Sequence, residues 1–140
     1  MSSSPAPRLV IFDCDGVLID SEIIAARAQS RALAEHGIAI TPQEAARRFA
    51  GIPDADMWQT LQDENARVLP EDFPRAYADR LQDTFRQELR ALPGVRETLA
   101  ALRERGIEYC VASSSTPPKL EAALKLVGLW EEFAPHVFST

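Results

Sequence analysis

Two aspartates separated by one residue are the side chains of this sequence best suited to chemistry. Asp13 and Asp15 lie in the segment LVIFDCDGVLIDS, residues 9–21, directly after the apolar run LVIF. Such a run predicts a buried parallel strand, and ligands bind parallel α/β sheets beyond the carboxyl ends of the strands. Carboxylates there cost free energy unless a cation or a hydrogen-bond donor meets them. The segment therefore predicts an acidic, metal-assisted active site near the start of a sheet.

The two carboxylates suit different roles. Asp13 ends the predicted strand, where it can ligate a hard cation such as Mg²⁺ or act as a nucleophile that becomes an aspartyl phosphate. Asp15 can reach the same bound group, protonate a leaving oxygen and later deprotonate water. Gly16 lets the chain turn sharply beside the ligand. A solvated turn is the structural alternative for Asp-x-Asp, but a strand before it and apolar residues after it favour the active site.

A serine-rich segment forms the second candidate loop. Residues 113–116, SSST, follow the apolar run at 107–112 and precede Pro117, which suits the first position of a helix. Hydroxyls and free N–H groups at a helix N-terminus form an anion site suited to phosphate. We expect Ser113 to bind phosphate and Thr116 to cap the helix.

The spacing of apolar residues predicts the elements that position these loops. Between residues 20 and 91, caps and periodicity predict four helices that begin near Ser21, Thr41, Pro53 and Asp72. Strand and helix alternate again from Pro93. The predicted fold class is α/β, a parallel-sheet, Rossmann-like core at residues 1–19 and 92–140 with a four-helix cap domain at 20–91. The two junctions would act as hinges.

The composition limits the classes of binding partner and the location that the chain can have. The net charge of −6 argues against nucleic acid and anionic membranes, which would repel the chain. The sequence has no apolar run of transmembrane length. Residues 1–7 lack the features of a secretory signal and predict a flexible tail. Cys14 and Cys110 are expected to be buried reduced thiols, which indicates the cytoplasm. The oligomeric state stays open.

LVIFDCDGVLIDS and YCVASSS resemble the first and second motifs of the haloacid dehalogenase (HAD) superfamily. The helical insert is similar to the cap of its subfamily containing phosphoglycolate phosphatase, 6-phosphogluconate phosphatase and β-phosphoglucomutase. The resemblance implies that Asp13 is the nucleophile, Asp15 the general acid and base, and Ser113 a ligand of the phosphoryl group. It further implies that the Ser114 N–H binds phosphate and that Mg²⁺ is held by the Asp13 carboxylate and the Asp15 carbonyl.

The sequence departs from the family pattern in its later motifs. The family has a third motif with a lysine and a fourth with an acidic pair, and neither occurs before Thr140. Lys119 lies inside a predicted helix and does not match. We therefore expect a truncated product or part of a longer enzyme, with exposed strand edges and apolar faces.

Two further departures concern the substrate. Ala25 stands where β-phosphoglucomutase has a histidine, and Asp54 stands where its substrate loop has an arginine, whereas Gly51 matches the glycine of that loop. The sequence therefore favours a phosphatase that hydrolyses a sugar phosphate or organic-acid phosphate through an aspartyl-phosphate intermediate. A mutase and a non-catalytic fragment remain the alternatives.

Overall fold

The computed structural model describes residues 5–139, which form three strands and seven helices. The strands are β1 (Leu9–Phe12), β2 (Glu108–Ser113) and β3 (Val137–Ser139). The helices are α1 (Ser21–Ala34), α2 (Pro42–Phe49), α3 (Asp54–Asn65), α4 (Phe73–Glu88), α5 (Val95–Glu104), α6 (Pro117–Leu126) and α7 (Trp130–Phe133). The predicted α/β class is confirmed, and four helices separate β1 from α5. Residues 1–4 of the expected flexible tail lie outside the described part.

The three strands form one parallel sheet in the order β1-β2-β3. Phe12 pairs with Val111, and Ser113 pairs with Ser139. Because all the strands run in one direction, the segments after β1 and β2 leave the same edge of the sheet. That edge carries both segments that the sequence marks for chemistry.

The sheet is buried more completely on one face than on the other. Phe133 of α7 packs edge-to-face against Phe12 and Tyr109, with ring centroids 6.0 and 5.5 Å away. On the opposite face, Ile11 is 63% exposed and Phe138 is 57% exposed. The prediction that all of β1 is buried is therefore wrong, since successive residues of a strand point to opposite faces. The expected exposure of apolar sheet surface is present.

The described residues form two compact units. Residues Glu22–Glu88 make up one unit, and the described residues on either side of them make up the other. Within residues 5–139, no helix combines the length and the apolar character needed to cross a membrane.

The helical unit has its own apolar core. Trp58 packs edge-to-face on Phe73 and Tyr77, with centroids 5.1 and 5.6 Å apart. The buried cluster around these rings consists of Ala32, Leu33, Ile38, Ile40, Ala45, Met57, Trp58, Leu61, Leu69, Phe73 and Tyr77.

Thr41 caps α2 as predicted, since its Oγ1 accepts the Glu44 N–H at 3.1 Å. The apolar spacing of Met57, Leu61 and Val68 predicts one buried helix side, but Val68 is 89% exposed because α3 ends before it, at Asn65.

Candidate active site

The chain turns tightly directly after β1. Asp13 follows Phe12 and is exposed; its Oδ1 accepts the Cys14 N–H at 2.7 Å. The Cys14 carbonyl then accepts N–H groups from residues 17–19 at 2.9–3.3 Å. Gly16 has a φ of 72°, in the region that favours glycine. The second carboxylate oxygen of Asp13, Oδ2, has no hydrogen-bond partner among residues 5–139, so it is available to a ligand.

Two serine hydroxyls orient the side chain of Asp15. The Ser21 hydroxyl donates to Oδ1 at 2.7 Å, and the Ser115 hydroxyl donates to Oδ2 at 2.9 Å. Ser21 is the first residue of α1, as expected, but its hydroxyl serves Asp15 rather than standing as a simple helix cap. The donors come from segments far apart in the sequence, and each one holds a different oxygen of the carboxylate.

The serine loop is held by its own hydroxyl and carbonyl groups. Ser113 is buried at the end of β2, and its Oγ accepts the Ser115 N–H at 3.1 Å. The Ser139 hydroxyl of β3 donates to the Ser115 carbonyl. Ser114 is exposed between them. The phosphate-binding roles expected of Ser113 and Ser114 stay predictions. Ser115 was not predicted as a site residue, because its contact with Asp15 exists only once the chain has folded.

The predicted cap at Thr116 is wrong in its chemistry. Thr116 is the N-cap residue of α6, but its side chain makes no capping hydrogen bond. An N-cap oxygen accepts from the second or third helical residue, and here prolines occupy positions 117 and 118. Pro118 has no N–H to donate, and Lys119 at the third position does not donate to the Thr116 side chain.

A short backbone pairing anchors the acidic loop. Asp20 N–H donates to the Arg90 carbonyl at 3.1 Å, and Asp20 Oδ1 accepts the Arg90 N–H at 2.8 Å. Leu92 N–H donates to the Leu18 carbonyl at 2.9 Å. These residues coincide with the junctions predicted as hinges, and the hinge role itself stays a prediction.

Cys14 is buried between the two aspartates in the sequence. Burial, with added repulsion from the charges of Asp15 and Asp13, raises the pKa of its thiol to about 12. A thiol is a nucleophile or a metal ligand when deprotonated, so Cys14 stays inert near neutral pH. Cys110 is also free and buried, which confirms the expectation of two buried reduced thiols.

The donor chemistry of the loop fits Mg²⁺. The Asp13 carboxylate and the Asp15 carbonyl are hard oxygen ligands, and Mg²⁺ in proteins commonly uses one or two carboxylates with waters and substrate phosphates. Within the described residues, no cluster of three or more His, Cys, Asp and Glu side chains is arranged to hold a metal. The residues present would therefore supply part of a coordination shell.

The two substrate-loop candidates belong to the helical unit. Gly51 has a φ of 76° and open space where a Cβ would stand. Asp54 begins α3, and its Oδ1 accepts from Nε2 of the buried Gln29 at 3.1 Å. Gln29 could not be found from the sequence, because a lone glutamine on a helix carries no local signal.

The family model described as haloacid dehalogenase-like hydrolase matches residues 10–140. The 6-phosphogluconate phosphatase of Escherichia coli (strain K12) is 29% identical over 131 residues, which cover 93% of this chain and 58% of that protein.

Two solved structures share the fold. A conserved haloacid dehalogenase-like protein of unknown function from Agrobacterium tumefaciens has a TM-score of 0.86 at 35% identity, with coverage of 96% of this chain and 59% of that one. A HAD family hydrolase from Deinococcus radiodurans with bound phosphate and sodium has a TM-score of 0.84 at 32% identity, with coverage of 95% and 58%. This chain thus spans less than two thirds of the length of these relatives. It belongs to the haloacid dehalogenase-like hydrolase family.

Proposed function

We propose that this chain carries the nucleophile and the acid/base of a Mg²⁺-dependent phosphatase that hydrolyses a small phosphorylated metabolite. The observation that carries the proposal is the acidic loop. Asp13 keeps one carboxylate oxygen unpaired among the described residues, while two serine hydroxyls orient Asp15 two residues on. The family of the chain and a relative named for the hydrolysis of 6-phosphogluconate support it.

The reaction takes two steps. In the first, Asp13 Oδ2 attacks phosphorus, the ester P–O bond breaks, and the leaving oxygen takes a proton from Asp15. In the second, water attacks phosphorus while Asp15 takes its proton, the bond to Asp13 breaks, and inorganic phosphate leaves. The Ser115 hydroxyl can remain hydrogen-bonded to Asp15 in both of its protonation states, because a hydroxyl both donates and accepts hydrogen bonds.

The remaining groups position the phosphoryl oxygens. Ser113 through its hydroxyl and Ser114 through its N–H would bind them. The Asp13 carboxylate and the Asp15 carbonyl would hold Mg²⁺, which neutralises phosphoryl charge when bound. Phosphoryl transfer depends mainly on such positioning and charge neutralisation.

We extend the proposal to the leaving group. Residues 20–91 would act as a cap, with Gly51 and Asp54 in the segment that contacts the substrate. Gln29 holds one oxygen of Asp54, and the other has no partner among the described residues. A free carboxylate oxygen accepts hydrogen bonds from hydroxyl groups and repels carboxylates, so a hydroxyl-rich sugar phosphate suits it better than a short organic-acid phosphate. We also propose a cytoplasmic location, because Cys14 and Cys110 are free thiols and disulfides are rare in that compartment.

Asp13→Asn tests the nucleophile. With Mg²⁺, the wild-type chain should hydrolyse p-nitrophenyl phosphate, and acid-quenched protein should carry one added phosphoryl group by intact mass. Asp13→Asn should lose both signals, while the control Glu108→Gln, at an exposed position of β2, should keep them. Full activity in Asp13→Asn would refute the assignment of the nucleophile, whereas a wild-type chain without turnover would favour the non-catalytic alternative. Conversion of β-glucose 1-phosphate to its 6-phosphate would instead identify a mutase.

A further inference from the structure

We propose that the groove between α1 and α4 is a binding site for a small oxyanion, the phosphate or carboxylate group of a metabolite. The proposal concerns the helical unit alone and does not rest on the proposed phosphatase activity. It starts from a ladder of side chains that faces this groove.

The ladder consists of side chains spaced four residues apart on each helix. Arg27 pairs with Glu88 at 3.3 Å, and Glu35 pairs with Arg80 through two contacts of 2.7 and 2.8 Å. Because numbers rise along one helix as they fall along the other, the two helices run antiparallel at this contact. Residues four apart lie on one face of a helix, so the middle rung joins Arg31 to Thr84.

The middle rung lacks a carboxylate. Arg31 makes no ion pair or hydrogen bond through its side chain with any residue in the described range, 5–139. The Thr84 hydroxyl donates to the Arg80 carbonyl at 2.8 Å, so it presents no negative charge to Arg31. The five N–H donors of the Arg31 guanidinium are therefore available to a ligand.

A cavity lies where the missing carboxylate would be. It has a volume of about 80 Å³ and is lined by Arg27, Arg31, Arg80, Thr84 and Glu88, with Tyr77 among the residues that close it. A single water needs roughly 10–15 Å³, so the space holds several waters or one small oxyanion.

The charges around the cavity favour an anion. Three arginines, Arg27, Arg31 and Arg80, face two carboxylates, Glu35 and Glu88, which leaves one cation in excess. The Arg80 guanidinium also holds the pKa of Glu35 below its ordinary value through their hydrogen bonds, so Glu35 remains ionised and committed to Arg80. An arginine fork matches the geometry of phosphate and carboxylate oxygens.

Phosphate titration of the ¹⁵N-labelled chain tests the site. At constant ionic strength set with sodium chloride, inorganic phosphate should cause saturable shifts at the Arg31 and Thr84 amides. Sodium acetate, in a second titration, tells whether a carboxylate alone suffices. Shifts at residues 113–115 are followed separately, because they report phosphate at the candidate active site.

Three variants separate this site from general charge effects. Arg31→Gln should weaken binding at the groove by at least about tenfold, the factor for losing one charge-assisted hydrogen bond, without changing the response of residues 113–115. Arg31→Lys should bind with intermediate strength. Arg86→Gln, on α4 but paired with Asp83 and outside the cavity, should bind like the wild type.

Three results would overturn the proposal. The first is a phosphate affinity at the groove that Arg31→Gln leaves unchanged. The second is amide shifts that rise without saturation, and the third is shifts that follow protein concentration instead of phosphate, which would put a second chain in the groove.

Discussion

The hydrogen bond from Ser115 to Asp15 joins two loops that are 100 residues apart in the sequence, and its removal should lower stability measurably. Ser115→Ala deletes the hydroxyl alone. The backbone of residue 115 keeps its bonds to the Ser113 and Ser139 hydroxyls. The variant therefore isolates one side-chain contact.

The size of the effect follows from the type of bond. A hydrogen bond to a charged group contributes about 1.5–3 kcal/mol. Asp15 and Ser115 are half-buried, so water partly replaces the lost donor and the lower end applies. We expect the free energy of unfolding to fall by about 1.5 kcal/mol in Ser115→Ala. Ser21→Ala should cost somewhat more, about 2 kcal/mol, because Ser21 is 6% exposed and water reaches that side less easily.

A double-mutant cycle measures the contact itself. Ser115→Ala, Asp15→Ala and the double variant are unfolded in urea at neutral pH and followed by circular dichroism, with Ser114→Ala as the control for an exposed serine of the same loop. The two losses should be coupled by about 1 kcal/mol or more, whereas Ser114→Ala should stay within roughly 0.5 kcal/mol of the wild type. A coupling energy near zero would show that the two side chains are not bonded in solution and would refute this account of how Asp15 is oriented.

Two further predictions concern burial. Between pH 9.0 and about 12, the unfolded state loses the Cys14 proton while the folded state keeps it. The free energy of unfolding of the wild type, relative to that of Cys14→Ala, should therefore fall by about 1.4 kcal/mol per pH unit. Urea unfolding across that pH range measures the difference, and a constant difference would contradict the raised pKa. Leu61→Ala, in the core of the helical unit, should lower the free energy of unfolding by about 2–5 kcal/mol. Val68→Ala, at an 89% exposed side chain, should change it by at most about 0.5 kcal/mol. Equal effects would mean that Val68 is buried in solution.

Features set by local chemistry could be read from the sequence. The run before Asp13 predicts a strand, Thr41 predicts a cap, and the hydroxyl groups that begin at Ser113 mark the end of β2. Each depends on residues within a few positions of one another. The register of a parallel sheet then brings the two loops to one edge.

Features set by distant partners could not be read in this way. Ser115 gains its role from Asp15, and Gln29 gains its role from Asp54, 25 residues away. The exposure of Ile11 depends on what covers one face of the sheet. Thr116 is a good cap residue by type, yet its side chain makes no capping hydrogen bond, and Pro118 removes one of the two N–H donors that could have formed it.

The site holds its carboxylates with hydroxyl and amide donors rather than with cations. Asp13 and Asp15 accept from Cys14 N–H and from two serines, and within residues 5–139 neither forms an ion pair. Neutral donors orient a carboxylate without cancelling its charge. A phosphoryl group that approaches Asp13 therefore meets the uncompensated negative charge of that carboxylate, with a Coulomb repulsion that grows as water is excluded. Under the proposed function, this repulsion makes a cation bound beside Asp13 a condition for substrate binding as well as for catalysis. The same arrangement suits the proposed role of Asp13 as the nucleophile, because a direct arginine or lysine partner would compete with phosphorus for its free oxygen.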